Sequence, residues 1–123
     1  AGEVLAHLEA AVGRRYEGCL PWFRFIEYEE GGGMATHTDG SNTHPRTERK
    51  SEATFLLYLT DCGAGGETAL LESSRPGAGE IALVAPRRGR ILVFPHKCPH
   101  AGLQVGGDPK RALRGELYGY HID

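Results

Sequence analysis

His37 and Asp39 are separated by one residue, a spacing that can place an imidazole beside a carboxylate. In an extended strand, residues i and i+2 point to the same face, so these two side chains converge. His100 can supply a third ligand, because it follows an apolar segment, residues 90–94, that a rolled sheet can return beside an early strand. Two histidines and one carboxylate on one face of a metal ion would leave three coordination positions open.

Such a ligand set is the one used by non-haem Fe(II) oxygenases, whose open positions take a co-substrate and oxygen. A dicarboxylate co-substrate that chelates iron at one end needs a cation for its far carboxylate. Lys110, ten positions after His100, could supply that cation, or it could be a solvated residue after the turn at 106–109. The H-x-D spacing also arises by chance, so from the residues alone a metal site and a coincidence both stay open.

His96, Cys98 and His100 alternate along the chain, and on a regular strand they would share a face and could bind zinc with one more ligand. Prolines interrupt this stretch, and Pro99 also excludes the helix that a zinc-protease pair at His96 and His100 would require. A zinc site is therefore disfavoured. Three further histidines are interpreted as surface or rim residues: His7, His44 and His121.

The elements that must position these residues are short segments rich in aromatic and branched side chains, bounded by Gly, Pro and Asp. They predict strands over 21–28, 52–60, 66–71, 80–85, 90–94 and 112–121. Residues 3–12 carry apolar side chains at helical spacing, which predicts one N-terminal helix packed on the sheet. The lack of helical crossovers favours an antiparallel sandwich or jelly roll, with a polar loop over 40–51.

The length of 123 residues predicts a single domain over 1–123. Fourteen basic and sixteen acidic residues give a net charge of −2 without charge runs, so neither nucleic acid nor a membrane is an expected partner. Three cysteines, an odd number, fit a reducing compartment, and we expect a cytoplasmic protein. The chain begins with Ala1 rather than Met, so we expect that any N-terminal targeting segment would be missing from it.

The run from residue 24 to residue 120 resembles the catalytic domain of the prolyl 4-hydroxylase-like 2-oxoglutarate and Fe(II)-dependent dioxygenases. The resemblance covers about four fifths of the chain and depends on the order, spacing and type of its motifs together. The motifs are YEEG (28–31) leading to HTD (37–39), TFLLYLTD (54–61) with GGET (65–68), GRILVFPHKCPHAG (89–102), and Lys110 with ALRGELYGY (112–120). The fold it implies is a double-stranded β-helix, or jelly roll.

The resemblance also implies roles for individual residues. His37, Asp39 and His100 would be the catalytic iron ligands, and Lys110 would pair with the far carboxylate of 2-oxoglutarate. Four further residues would border the co-substrate, although each could instead serve packing or a turn: Tyr58, Tyr28, Thr68 and Arg114. Arg114 would be either a second cation in the pocket or a partner of Glu116. His96 matches a histidine that either supports a metal ligand or is structural.

The activity implied is hydroxylation of an unactivated C–H bond, in a prolyl or other residue of a peptide or protein. Fe(II), 2-oxoglutarate and O2 would be required, with ascorbate as an additional cofactor. Loop 40–51 would fold over the substrate, and apolar neighbours would shield the oxidant: Leu56, Ile91, Val93 and Phe94. Alternatives are a hydroxylase of a free amino acid or small metabolite, and a non-catalytic metal- or ligand-binding jelly roll. We expect a monomer or weak oligomer.

Overall fold

A computed structural model of the protein describes residues 15–121, and within them the chain forms nine strands and no helix. In chain order the strands are β1 (Gly18–Cys19), β2 (Arg24–Tyr28), β3 (Met34–His37), β4 (Ala53–Tyr58), β5 (Thr68–Leu71), β6 (Glu80–Val84), β7 (Ile91–Pro95), β8 (His100–Gly102) and β9 (Lys110–Tyr118). The helix predicted over 3–12 lies outside the described residues. No helix in residues 15–121 is long and apolar enough to cross a membrane.

The strands form two antiparallel sheets. The large sheet has the order β1-β9-β4-β7, with β2 also paired to β9, and the small sheet has the order β3-β8-β5-β6. Consecutive strands therefore alternate between sheets at several points, which is typical of a jelly roll. The prediction of a mainly β, antiparallel chain is confirmed.

The two faces of the large sheet carry different side chains, because successive residues of a strand point to opposite faces. On β4, Ala53 and Phe55 belong to the hydrophobic core on the outer face, together with Leu117 of β9. Aromatic side chains of the N-terminal segment, Tyr16 and Phe23, pack against this cluster. This apolar cluster thus packs on the outer face of the large sheet, while the inner face carries both apolar and polar side chains, such as Thr54 and Glu116.

On the inner face of the large sheet lies a cavity of about 700 Å³ that is also lined by the small sheet. Thr54 and Leu56 of β4 and Phe94 of β7 line it from the large sheet. Two of the apolar neighbours predicted for the site lie elsewhere, since Ile91 and Val93 pack against the outer core. The reason is the period of two along β7, which places odd- and even-numbered residues on opposite faces.

The six predicted strands all exist, and no end is shifted by more than three residues; β9 moves at both ends, beginning two residues earlier and ending three earlier than predicted. Three strands were not predicted: β1, β3 and β8. Each has only two to four residues, and β3 and β8 contain glycine, histidine or threonine in place of an apolar run. Their identity as strands depends on pairing with distant partners, which local composition does not reveal.

Loop 40–51 folds back on itself as an irregular hairpin. Thr43 and Lys50 form an isolated bridge, and the amide of Ser51 donates to the carbonyl of Asn42. The Asn42 side chain donates to both carboxylate oxygens of Glu116, at 2.9 and 3.0 Å. These bonds hold the base of the loop against the large sheet at one end of the cavity.

Candidate active site

Three potential metal ligands meet where β3 pairs with β8. His37 ends β3, Asp39 follows two residues later, and His100 begins β8 directly opposite His37. Nε2 of His37 lies 3.5 Å from Oδ1 of Asp39, and Nε2 of His100 lies 3.6 Å from its Oδ2. One ligand atom from each residue lies within 4.8 Å of the others. The structure thus brings together the three residues that the sequence predicted to converge.

A β-bulge in β3 turns His37 toward the cavity. Met34 pairs with Gly102 and His37 with His100, so three steps along β3 match two along β8. In a regular strand Met34 and His37 would point to opposite faces, because their separation is odd. The extra residue restores a common face, and both side chains line the cavity.

Backbone hydrogen bonds fix the orientation of both imidazoles. Nδ1 of His37 lies 2.8 Å from the carbonyl of Ala35, and Nδ1 of His100 lies 2.9 Å from the carbonyl of Cys98. A carbonyl only accepts, so each Nδ1 carries the proton and, in the neutral ring, Nε2 keeps a free lone pair. Burial lowers the pKa of His100, which favours this neutral, ligand-competent form.

Asp39 contributes a carboxylate with two unlike oxygens. Oδ2 accepts a 2.6 Å hydrogen bond from the Thr54 hydroxyl and lies 3.3 Å from the Arg114 guanidinium. Oδ1 has no hydrogen-bond donor among the described residues. Burial favours the neutral acid, but the Thr54 hydrogen bond and Arg114 outweigh it and hold the pKa of Asp39 below its usual value. Two imidazole lone pairs and one anionic oxygen therefore face each other, and a cation would stabilise that arrangement.

Lys110 is a buried cation on the wall of the same cavity. Its side chain is on the inner face of β9, only 6% of the residue is exposed, and its ammonium lies 5.9 Å from the ring centres of Tyr28 and Tyr58. No carboxylate forms an ion pair with it in the part of the chain that the structure describes. Burial lowers the pKa of Lys110. A buried ammonium without a carboxylate partner is a natural receptor for an anionic ligand.

Tyr58 and Thr68 support the cavity beside Lys110. The Tyr58 hydroxyl and Thr68 Oγ1 lie 2.7 Å apart, and burial raises the pKa of Tyr58, which keeps its proton. Thr68 lines the cavity, as Tyr28 does, whereas Tyr58 is fully buried behind Thr68. Tyr58 therefore does not line the cavity itself, and its hydroxyl is placed to orient the Thr68 hydroxyl.

Arg114 lies on the same inner face of β9 as Lys110, as the even spacing predicted. Its guanidinium nitrogens lie 3.3 Å from Asp39 and 3.8 Å from Glu116. Arg114 thus lines the cavity and also contacts Glu116, which combines the two roles that the sequence left open.

Several residues of the site were not predicted from the sequence, namely Thr54, Ser51, Asn42 and Glu116. They join His96 in a polar cluster behind Asp39. For Thr54 and Glu116 the only local signal was a polar residue among apolar neighbours of a strand, and Asn42 and Ser51 lie in loop 40–51, where polar residues are expected. His96, predicted either to support a metal ligand or to be structural, is buried within this cluster.

Comparisons with known proteins agree with this geometry. The sequence model of the 2OG-Fe(II) oxygenase superfamily matches residues 23–117. Among solved structures, a Pseudomonas putida prolyl-4-hydroxylase matches with a TM-score of 0.66 and 20% identity, covering 98% of this chain and 65% of that one. A prolyl 4-hydroxylase from Phytophthora capsici matches with a TM-score of 0.61 and 22% identity, covering 97% and 40%.

A viral collagen prolyl hydroxylase from Paramecium bursaria Chlorella virus-1, solved with 2OG, matches with a TM-score of 0.56 and 20% identity, covering 84% of this chain and 64% of that one. At these identities the likenesses establish the fold. The chain spans between about two fifths and two thirds of the length of these three proteins. No curated protein matches the chain significantly.

Proposed function

The chain belongs to the 2OG-Fe(II) oxygenase superfamily, and from this premise we propose that it is a 2-oxoglutarate-dependent dioxygenase that hydroxylates an unactivated C–H bond. The observation that carries the proposal is the pairing of two features in one cavity. Three lone-pair donors converge at His37, Asp39 and His100, and a buried ammonium at Lys110 has no carboxylate partner among residues 15–121.

His37, Asp39 and His100 would hold Fe(II), and the donor set fits that ion. Two imidazoles and one carboxylate are typical of non-haem iron sites that keep positions open for small ligands. With 2-oxoglutarate and O2, the iron supplies the oxidation that converts a C–H bond to C–OH, while 2-oxoglutarate becomes succinate and CO2. Because Oδ2 of Asp39 is held by Thr54 and Arg114, Oδ1 is the oxygen left to bind the metal.

Lys110 would bind the far carboxylate of 2-oxoglutarate by a charge-assisted hydrogen bond. The Thr68 hydroxyl, held by Tyr58, would add a second donor or acceptor on the same wall. Leu56 and Phe94 would exclude water from the reacting centre; the Phe94 ring lies 4.5 Å from that of His100. A dry, rigid wall directs the oxidation to the bound substrate.

The substrate that we propose is a prolyl or other residue of a peptide. The solved structures with the same fold include prolyl hydroxylases. One cavity-lining side chain is large, apolar and exposed, namely Met34 at 45%. Such a side chain offers a contact surface to an extended peptide at the mouth of the cavity.

The test is release of succinate from 2-oxoglutarate by the Fe(II)-loaded protein, with and without proline-containing peptides. We expect peptide-stimulated succinate release that Asp39→Ala abolishes, whereas the control Glu80→Ala, at an exposed position of β6, retains it. Unchanged turnover in Asp39→Ala would show that the ligand set is wrong. If free amino acids alone stimulate succinate release, the substrate is a small molecule and not a peptide. Metal binding without any 2-oxoglutarate turnover would indicate a non-catalytic module.

A further inference from the structure

A chain of buried polar side chains runs from Asp39 into the large sheet. The Thr54 hydroxyl lies 2.6 Å from Oδ2 of Asp39 and 2.8 Å from Nδ1 of His96. Nε2 of His96 lies 2.8 Å from the Ser51 hydroxyl, which in turn lies 2.8 Å from the Glu116 carboxylate. Thr54, His96, Ser51 and Glu116 are each no more than 4% exposed. Buried polar groups at this depth are tolerated only when each has a partner.

Counting the available protons shows which group donates in each hydrogen bond between His96, Thr54 and Asp39. A carboxylate only accepts, so the single hydroxyl proton of Thr54 is donated to Asp39. Thr54 can then only accept from His96, which must carry a proton on Nδ1. Nε2 of His96 faces the Ser51 hydroxyl, which also accepts a hydrogen bond from the backbone amide of Asn42 at 3.0 Å. The orientation of His96 is therefore fixed from both sides of its ring.

The same accounting separates the two oxygens of Asp39. Oδ2 accepts a hydrogen bond from Thr54 and lies near Arg114 and Nε2 of His100, while Oδ1 faces Nε2 of His37 with no donor of its own among the described residues. Without the Thr54 bond, the carboxylate could rotate about its Cβ–Cγ bond, and Arg114 alone, at 3.3 Å, would be its restraint. A ligand that rotates freely binds a metal less tightly than one that is already oriented.

We propose that Thr54 and His96 are positioning residues of the metal centre: His96 orients the Thr54 hydroxyl, and Thr54 holds Oδ2 of Asp39 so that Oδ1 stays toward Nε2 of His37. This inference rests on the proposed function, because it assumes that Asp39 binds the metal. Neither residue is one of the three proposed ligands, so both act on the metal through Asp39. The chain from His96 to Asp39 sets the affinity for the metal and leaves the 2-oxoglutarate site at Lys110 unchanged.

The first test compares Thr54→Val, which has the same shape but no hydroxyl, with Thr54→Ser, which keeps it. Mn(II) affinity of the whole chain, read from the EPR signal of free Mn(II), reports on the ligands without turnover. We expect Thr54→Val to bind Mn(II) roughly 10- to 100-fold more weakly, the usual loss when a group holding a metal ligand is removed. Thr54→Ser should restore binding to within about threefold of wild type.

A matched control is Thr60→Val. The Thr60 hydroxyl also has two partners, the Pro109 carbonyl and the Arg111 amide, both at 3.0 Å, and it does not line the cavity. Its loss should lower the melting temperature without changing the Mn(II) affinity. If Thr54→Val behaves in the same way, with lower stability and wild-type Mn(II) affinity, the role of Thr54 is structural and the proposal is overturned.

The second test asks whether His96 acts through Thr54. If it does, His96→Leu weakens Mn(II) binding, and the double variant Thr54→Val/His96→Leu binds no more weakly than Thr54→Val alone. If the two losses of Mn(II) affinity multiply in the double variant, Thr54 and His96 act independently, which would contradict a single path from His96 through Thr54 to Asp39. Should His96→Leu fail to fold, His96→Asn is used instead, because its side-chain amide can still donate to Thr54. A Mn(II) affinity near that of wild type then supports the proposed path from His96 to Asp39, and a loss as large as that of Thr54→Val contradicts it.

The outcomes separate this inference from the proposed function. If the wild-type chain binds no Mn(II), or if Asp39→Ala binds it as tightly as wild type, the proposed metal centre itself is wrong. If Asp39→Ala loses Mn(II) while Thr54→Val and His96→Leu keep it, the metal centre stands and the positioning chain does not.

Discussion

Replacing Lys110 by methionine tests the proposed co-substrate site, because methionine has a similar length and shape but no charge. Removing one partner of a buried, hydrogen-bonded charge pair costs about 2–5 kcal/mol. Thr68 remains in place beside the ligand carboxylate, so we expect the lower part of this range. At about 1.4 kcal/mol for each tenfold change, a loss of roughly 2–3 kcal/mol weakens 2-oxoglutarate binding by about 30- to 150-fold.

The assay is calorimetric titration of the Mn(II)-loaded protein with 2-oxoglutarate, with Mn(II) affinity measured separately. Arg111→Met is the matched control, since Arg111 is the next residue on β9 but is exposed and paired with Glu27. It should bind 2-oxoglutarate like wild type. The apo form of Lys110→Met should be at least as stable as wild type, because the buried ammonium has no carboxylate partner among residues 15–121. Unchanged 2-oxoglutarate affinity in Lys110→Met, or a large loss in Arg111→Met, would refute the assignment.

Two further predictions concern the pH dependence of binding and the packing of the sheet. Burial lowers the pKa of Lys110 below the ordinary lysine value of 10.5. The 2-oxoglutarate affinity of wild type should therefore begin to fall as the pH rises through this lowered pKa. The affinity of Lys110→Arg should stay constant over the same range, and an equal decline in both proteins would exclude Lys110 as its cause. In Gly115→Ala the new Cβ would overlap the buried Phe55 ring, so urea unfolding should show a loss in unfolding free energy of about 1–3 kcal/mol. The control Gly107→Ala, with no atom within 4 Å of the added Cβ, should match wild type.

Much of the proposed metal centre could be predicted because it depends on local periodicity. The spacing of His37 and Asp39 sufficed to predict their convergence, even though β3 ends at His37 and Asp39 lies beyond it. The contribution of His100 required a long-range pairing. The apolar segment before it made His100 a candidate, and the resemblance to a known family then fixed its place in the order of the motifs. Lys110 followed from the chemistry that a chelating dicarboxylate needs.

The polar chain behind Asp39 could not be predicted, because its members come from separate strands. Thr54 and Glu116 are direct neighbours across β4 and β9, although 62 residues separate them in the sequence. Reading one strand at a time shows a threonine or a glutamate in an apolar segment, but not its partner. The bulge that turns His37 toward the cavity is also a property of two paired strands.

The faces of the strands illustrate the same limit. Ile91, Val93 and Phe94 are equally apolar in sequence, yet only Phe94 lines the cavity. Alternation predicts that neighbours point to opposite faces, but which face becomes the core is decided by the segment that packs on it. Here Tyr16 and Phe23 cover the outer face, which leaves the inner face for the site.

The most direct test of the central claim is a crystal structure of the protein with Mn(II) and 2-oxoglutarate, with the metal located by its anomalous scattering. We expect one Mn(II) bound by Nε2 of His37, Nε2 of His100 and Oδ1 of Asp39, with the far carboxylate of 2-oxoglutarate on Lys110. Mn(II) at any other position, or a 2-oxoglutarate carboxylate bound away from Lys110 in a fully occupied site, would contradict the proposed active site.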